Sequence, residues 1–187
     1  MKGMRALTPD KIQTALNRLE TGLDRYLWLQ CRVRSCDVDK DVEFQRCFSG
    51  FYRVRRDSRW RSEYFGLLES SKVKGIDFPE ALKEINRLTG RIEASFASKL
   101  VATLDPSKPV IDKFVMQHFE LRLPRWGSSD REAKTMDLYY DLCDKYHTFI
   151  QSPTGKMIQE LFESRYPNPD ISELKKIDLV LWQIRPY

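Results

Sequence analysis

Lys99 and Asp112 are the residues whose types and spacing point to bond-making chemistry. They lie thirteen positions apart in the stretch LTGRIEASFASKLVATLDPSKPVIDKFV, residues 88–115. A lysine amine becomes a nucleophile that forms a Schiff base once burial lowers its pKa. A carboxylate beside a sugar stabilises an oxocarbenium-like charge or activates water. Those are the two roles needed to cleave a base from a nucleotide. The plainer reading is that Asp112 caps the helix it precedes and that Lys99 is solvated or paired with it.

For the two groups to meet, the chain must fold back between them. Phe78-Pro79 starts a predicted helix with Leu82, Ile85 and Leu88 on one face, and Thr89-Gly90 interrupts it. Residues 92–104 resume helical spacing, with Phe96 four before Leu100 and Ala97 four before Val101. Ala94, Ala97 and Ala102 are small enough to admit another backbone closely. Asp105-Pro106 and Lys108-Pro109 then force a stop, because a residue before proline avoids helical angles. Pro109-Val110-Ile111-Asp112 leads into a new helix carrying Phe114, Val115 and Phe119, with Asp112 placed to cap it.

A second constellation lies upstream in FYRVRRDSRWR, residues 51–61. Arg53, Arg55, Arg56, Arg59 and Arg61 alternate there with Tyr52 and Trp60, and Tyr64 follows. Arginines pair with phosphates and aromatics stack on unpaired bases, so the stretch is a candidate nucleic-acid contact. The competing reading makes the aromatics core anchors and lets the arginines snorkel outward or pair with Asp57, Glu63 and Glu69. Tyr139, Tyr140 and His147, near Tyr146, are candidates to line a base pocket by stacking; core packing explains aromatics at helical spacing as well. Asp178 falls beside the last apolar stripe and needs a partner if buried. Arg185 or an arginine of the basic stretch is expected to supply it.

The order helix, hairpin-like break, helix, then Pro109-Val110-Ile111-Asp112 opening the next helix resembles the helix-hairpin-helix DNA glycosylase superfamily. The shorter 8-oxoguanine-glycosylase-like bacterial proteins are the nearest in pattern. The resemblance implies that the hairpin, here Leu88-Thr89-Gly90-Arg91-Ile92, contacts DNA backbone through Thr89, Gly90 and Arg91. It implies that Asp112 is the catalytic acid and Lys99 the nucleophilic lysine. This chain departs from the family in offering one glycine at the hairpin, a shorter gap from lysine to aspartate, and an extra residue in the Pro-Val-Ile-Asp element.

The remaining sequence bounds the class. The chain has 187 residues, 41% hydrophobic and 32% charged, which is enough apolar material for a core in one domain, or in one domain with two lobes. Only 8 glycines, and prolines mostly between periodic segments, favour helices over a β-sandwich. Ile12, Leu16, Leu19, Leu23 and Leu27 predict one helix from Thr8-Pro9 to about Gln30, with Thr8 as its cap. Asp170 and Glu173 predict a capping-box-like start for the last helix. No strand is predicted, so the expected fold is all-α, with about eight helices.

The net charge is +5, a lean toward anionic partners. Cys31, Cys36, Cys47 and Cys143 contain no CxxC pair and stand apart from His118 and His147. No structural metal or cofactor is therefore expected. The N-terminus, MKGMRALTPDK, lacks the apolar core of a leader, and no run reaches the ~20 apolar residues of a membrane span. A cytoplasmic protein with free thiols follows as the expectation. DNA is the expected partner. The reading from another class is a non-catalytic helical interaction protein of a mobile-element or defence system, with a protein as its partner.

Overall fold

A computed structural model describes residues 7–185. The N-terminal residues read above for a leader lie largely outside this range. Among the described residues the protein is all-helical, with ten helices. They are α1 (Pro9–Asn17), α2 (Glu20–Ser35), α3 (Val42–Phe51), α4 (Ser58–Lys74), α5 (Phe78–Thr89), α6 (Ala94–Leu104), α7 (Lys113–His118), α8 (Arg131–Ile150), α9 (Pro153–Arg165) and α10 (Glu173–Gln183).

The count exceeds the expected eight partly because the predicted first helix is two. Its apolar spacing runs on unbroken, yet the ladder tightens at Arg18 and Leu19. Their amides bond Ala15 and Leu16, three residues back, as at a helix end. Thr8 precedes α1 without a side-chain capping bond. Elsewhere short polar side chains start the helices: Asp41, Asp57, Asp77, Asp112, Ser152 and Ser172 each accept a backbone N–H of the first turn. The cap of α10 is thus Ser172 rather than the expected Asp170. No helix is long and apolar enough to cross a membrane among the described residues.

The helices form two compact units. Residues 21–105 make one, from α2 to α6. Its centre is aromatic. Phe48, with no exposed surface, lies 4.7 Å from Tyr52, 5.4 Å from Phe65, and 5.8 Å from Phe44 and Tyr64, ring centre to ring centre. Such pairs add about 1 kcal/mol each beyond their area burial. The apolar faces of α5 (Phe78, Ala81, Leu82, Ile85) and α6 (Ala94, Ala97, Leu100, Val101) are buried as the two helices pack together. Gly90 turns between them in the left-handed conformation, φ +70°, which costs glycine no Cβ clash. The chain also turns sharply after α3, where Arg53 has φ +54°, so α3 stops at Phe51.

The other unit is built from residues before 21 and after 105. α10 is its axis and packs on α1, α7, α8 and α9. Leu174 to Leu181 are eight consecutive buried residues, so α10 is enclosed on all sides rather than along one stripe. Three of the eight are charged and satisfied in place. Lys175 Nζ donates to Asp178 Oδ2 at 2.9 Å, and Tyr146 Oη of α8 donates to Asp178 Oδ1 at 2.8 Å. Lys176 Nζ donates to Glu163 Oε1 of α9 at 2.6 Å. The partners of Asp178 are therefore Lys175 and Tyr146, not Arg185 or the basic stretch. Arg185 instead lies 5.6 Å over the Phe114 ring.

Candidate nucleic-acid interface

Within the unit of residues 21–105, two basic segments that are separate in sequence are fastened together by one carboxylate. Glu93, between Gly90 and the start of α6, is only 9% exposed. One of its oxygens is ion-paired with Arg56, and the other accepts the Trp60 indole N–H at 2.8 Å. Arg56 and Trp60 belong to the α3–α4 connection and the first turn of α4. The bridge therefore holds Arg53–Arg61 against the Thr89–Arg91 turn. Trp60 stacks on Tyr64 at 4.9 Å, and the Tyr64 hydroxyl donates to the Phe96 carbonyl at 3.1 Å. Burial pushes the Tyr64 phenol well above its ordinary pKa.

Arg53, Arg55, Arg59, Arg61 and Arg91 are all exposed around this bridge. No ion pair engages Arg55, Arg59, Arg61 or Arg91 among the described residues. Tyr52, Trp60 and Tyr64 are 9%, 8% and 2% exposed, so the interleaved aromatics are core anchors and present no face for base stacking. What the surface offers an anion is guanidinium groups. Sequence reading missed Glu93, whose position just before Ala94 announced only a helix start. Its partners lie 37 and 33 residues away.

Lys99 belongs to the same unit. Its Nζ donates to the Tyr52 carbonyl at 3.2 Å and sits 5.0 Å over Phe96 and 5.7 Å over Tyr52. Arg56 lies 5.3 Å over Phe96, so both cations use that ring. Asp112 belongs to the other unit and caps α7, accepting the Phe114 N–H at 2.8 Å. Its charge acts on the buried Tyr146. That phenol is pushed well above its ordinary pKa by burial first, then by Asp178, with a smaller contribution from Asp112.

The three aromatic candidates on α8 diverge. Tyr139 is buried, with its hydroxyl 3.5 Å from the Pro109 carbonyl, whereas Tyr140 is 53% exposed. His147 lines a cavity of about 450 Å³ shared with Lys108, Cys143, Asp144, Ser172 and Glu173. Burial raises the Cys143 thiol, opposed by Lys108, so the cavity holds no activated thiolate. Among the described residues no cluster of three His, Cys, Asp or Glu side chains could hold a metal ion. Comparison with known proteins finds no family model, no curated protein and no solved structure that matches this chain.

Proposed function

We propose that the protein binds nucleic acid through the arginine face of the unit of residues 21–105, and that it does so by phosphate contacts. The observation that supports this reading is the Glu93 bridge, which gathers the two basic segments onto one support. It consumes one arginine and, among the described residues, leaves Arg55, Arg59, Arg61 and Arg91 without an ion-pair partner. A surface of guanidinium groups with its aromatics buried suits a sugar–phosphate backbone and carries little base discrimination.

The test is binding to a short duplex in rising salt. Wild type should bind at low salt and weaken steeply as salt rises. The triple variant Arg55→Glu, Arg59→Glu, Arg61→Glu should lose binding. No binding at low salt by wild type removes the proposal and leaves a helical protein-interaction module.

A finer reading rests on the order of α5, the Gly90 turn, α6, Pro109 and Asp112: excision of a modified base. In it Asp112 stabilises the sugar cation. The Lys99 amine attacks C1′ as the glycosidic bond breaks and the base leaves with one amine proton; the C1′–O4′ bond then opens, O4′ takes a proton, and the resulting imine is trapped by borohydride. Asp112→Asn is a clean probe because asparagine caps helices as well as aspartate does. Base release from damaged duplexes should vanish in Asp112→Asn, and trapping should vanish in Lys99→Ala. Tight duplex binding with neither product leaves a binder without chemistry.

A further inference from the structure

We propose that the loop between α7 and α8 is a second nucleic-acid contact, one that takes an unpaired base on the face of Trp126. Residues 121–129 of this loop read Leu121-Arg122-Leu123-Pro124-Arg125-Trp126-Gly127-Ser128-Ser129 and contain no acid, with Glu120 and Asp130 flanking them. Trp126 is 75% exposed, in contrast to the buried Tyr52, Trp60 and Tyr64 of the other basic segment. The Arg131 guanidinium lies 4.4 Å from the ring centre and covers one face, which leaves the opposite face open. A cation held against one face fixes the plane of the indole.

The turn behind it is fixed as well. Gly127 has φ +85°, which favours glycine, and the Ser128 hydroxyl donates to Asp130. Asp130, which follows Ser129 at the end of the loop, is paired with Lys134 at 2.8 Å. Lys134 and Ser128 hold its carboxyl down to about 2, so it remains a carboxylate committed to those partners. Arg122 and Arg125 are exposed and have no ion-pair partner among the described residues.

Flat aromatic surface flanked by unpaired arginines is what single-stranded nucleic acid requires: stacking for the base and positive charge for the adjacent phosphates. An anionic membrane is the less favoured occupant. Leu123 and Trp126 are the loop's large exposed apolar side chains, and Arg122 and Arg125 alternate with them. So little apolar area falls short of what interfacial anchoring needs. This inference stands on residues 121–134 and does not require the arginine face of residues 21–105.

The test measures tryptophan fluorescence and affinity with an oligothymidylate of about 15 nucleotides, with a blunt duplex, and with phosphatidylserine-containing vesicles. Wild type should be quenched by the oligothymidylate, and the quench should disappear in Trp126→Phe. Trp126→Ala should weaken oligothymidylate binding about tenfold and leave duplex binding unchanged. The triple arginine variant should show the reverse pattern, so failure of either site is read separately. Quenching that persists in Trp126→Phe overturns the proposal. So does an emission shift with vesicles but none with the oligonucleotide, which assigns the loop to a membrane surface. The exposed position of Trp126 keeps both variants folded, and thermal melting of each checks this.

Discussion

Glu93 shows how much one carboxylate can organise. It answers the Trp60 indole N–H and the Arg56 guanidinium from a nearly buried position, so its loss leaves two polar groups without their partner. Glu93→Ala is expected to cost about 2–3 kcal/mol, seen as a lower urea midpoint at unchanged m-value. Glu93→Gln should recover part of that loss, because the amide oxygen still accepts one bond. His118 is the residue with a near-neutral signature. It is 6% exposed, its Nε2 lies 2.8 Å from the Ile184 carbonyl, and burial lowers its pKa, opposed by that contact. As pH falls through about 6.5 the unfolded chain takes up a proton that the folded protein accepts only at lower pH. Stability is therefore full above that value and declines below it, by up to about 1.4 kcal/mol per pH unit. Denaturation midpoints of His118→Gln should fall less steeply than wild type between neutrality and mild acid.

Among the elements, α9 and α10 carry the sharpest constraints. A Cβ at Gly155, in the first turn of α9, would lie 2.0 Å from the Phe149 carbonyl oxygen, which is backbone and cannot swing aside. Gly155→Ala is expected to cost about 3 kcal/mol by forcing the ends of α8 and α9 apart. Calorimetry would show a lowered Tm. In α10, removing one member of the Lys175–Asp178 pair strands a buried charge, at about 3–5 kcal/mol, so Asp178→Leu should be severe. The double variant Lys175→Met with Asp178→Leu should be milder than that single change. These elements also mark where sequence was informative. The stripe Leu174, Ile177 and Leu181 revealed a helix and its inner face. That Asp178 lies against the stripe was legible, but its partners and the burial of Lys175 and Lys176 were not, because they depend on Tyr146 and Glu163, 32 and 13 residues from their partners. Likewise Ile12 to Leu27 gave the apolar rhythm but hid the break at Arg18 and Leu19. A helix that ends and restarts in phase leaves no mark on periodicity. At the candidate site, Asp112 as a cap and Trp60 and Tyr64 as core anchors were legible from spacing. The joining of the two arginine segments was not.

For the whole molecule, charge and topology set what to expect. With Arg55, Arg59, Arg61 and Arg91 as the contact set, the logarithm of duplex affinity should fall with that of salt at a slope of about −4. A slope near zero contradicts the arginine face. At the alkaline end, Tyr64 and Tyr146 resist ionisation in the fold. The unfolded chain releases those protons near pH 10, so stability holds below that value and is lost above it. The tyrosinate absorbance of Tyr64 and Tyr146, identified by loss in the Tyr64→Phe and Tyr146→Phe variants, should appear only with unfolding. The last consequence concerns synthesis. α1 belongs with α9 and α10, which the ribosome delivers on the order of ten seconds later. Residues 21–105 are all made well before that moment, while Ile12, Ala15 and Leu16 of α1 wait with their apolar surface uncovered. α1 is therefore closed by helices made well after it, α9 and α10. A chain released before residue 173 would keep its arginine face but leave the faces of α1, α7, α8 and α9 open, a form that chaperones and proteases can tell from the finished protein.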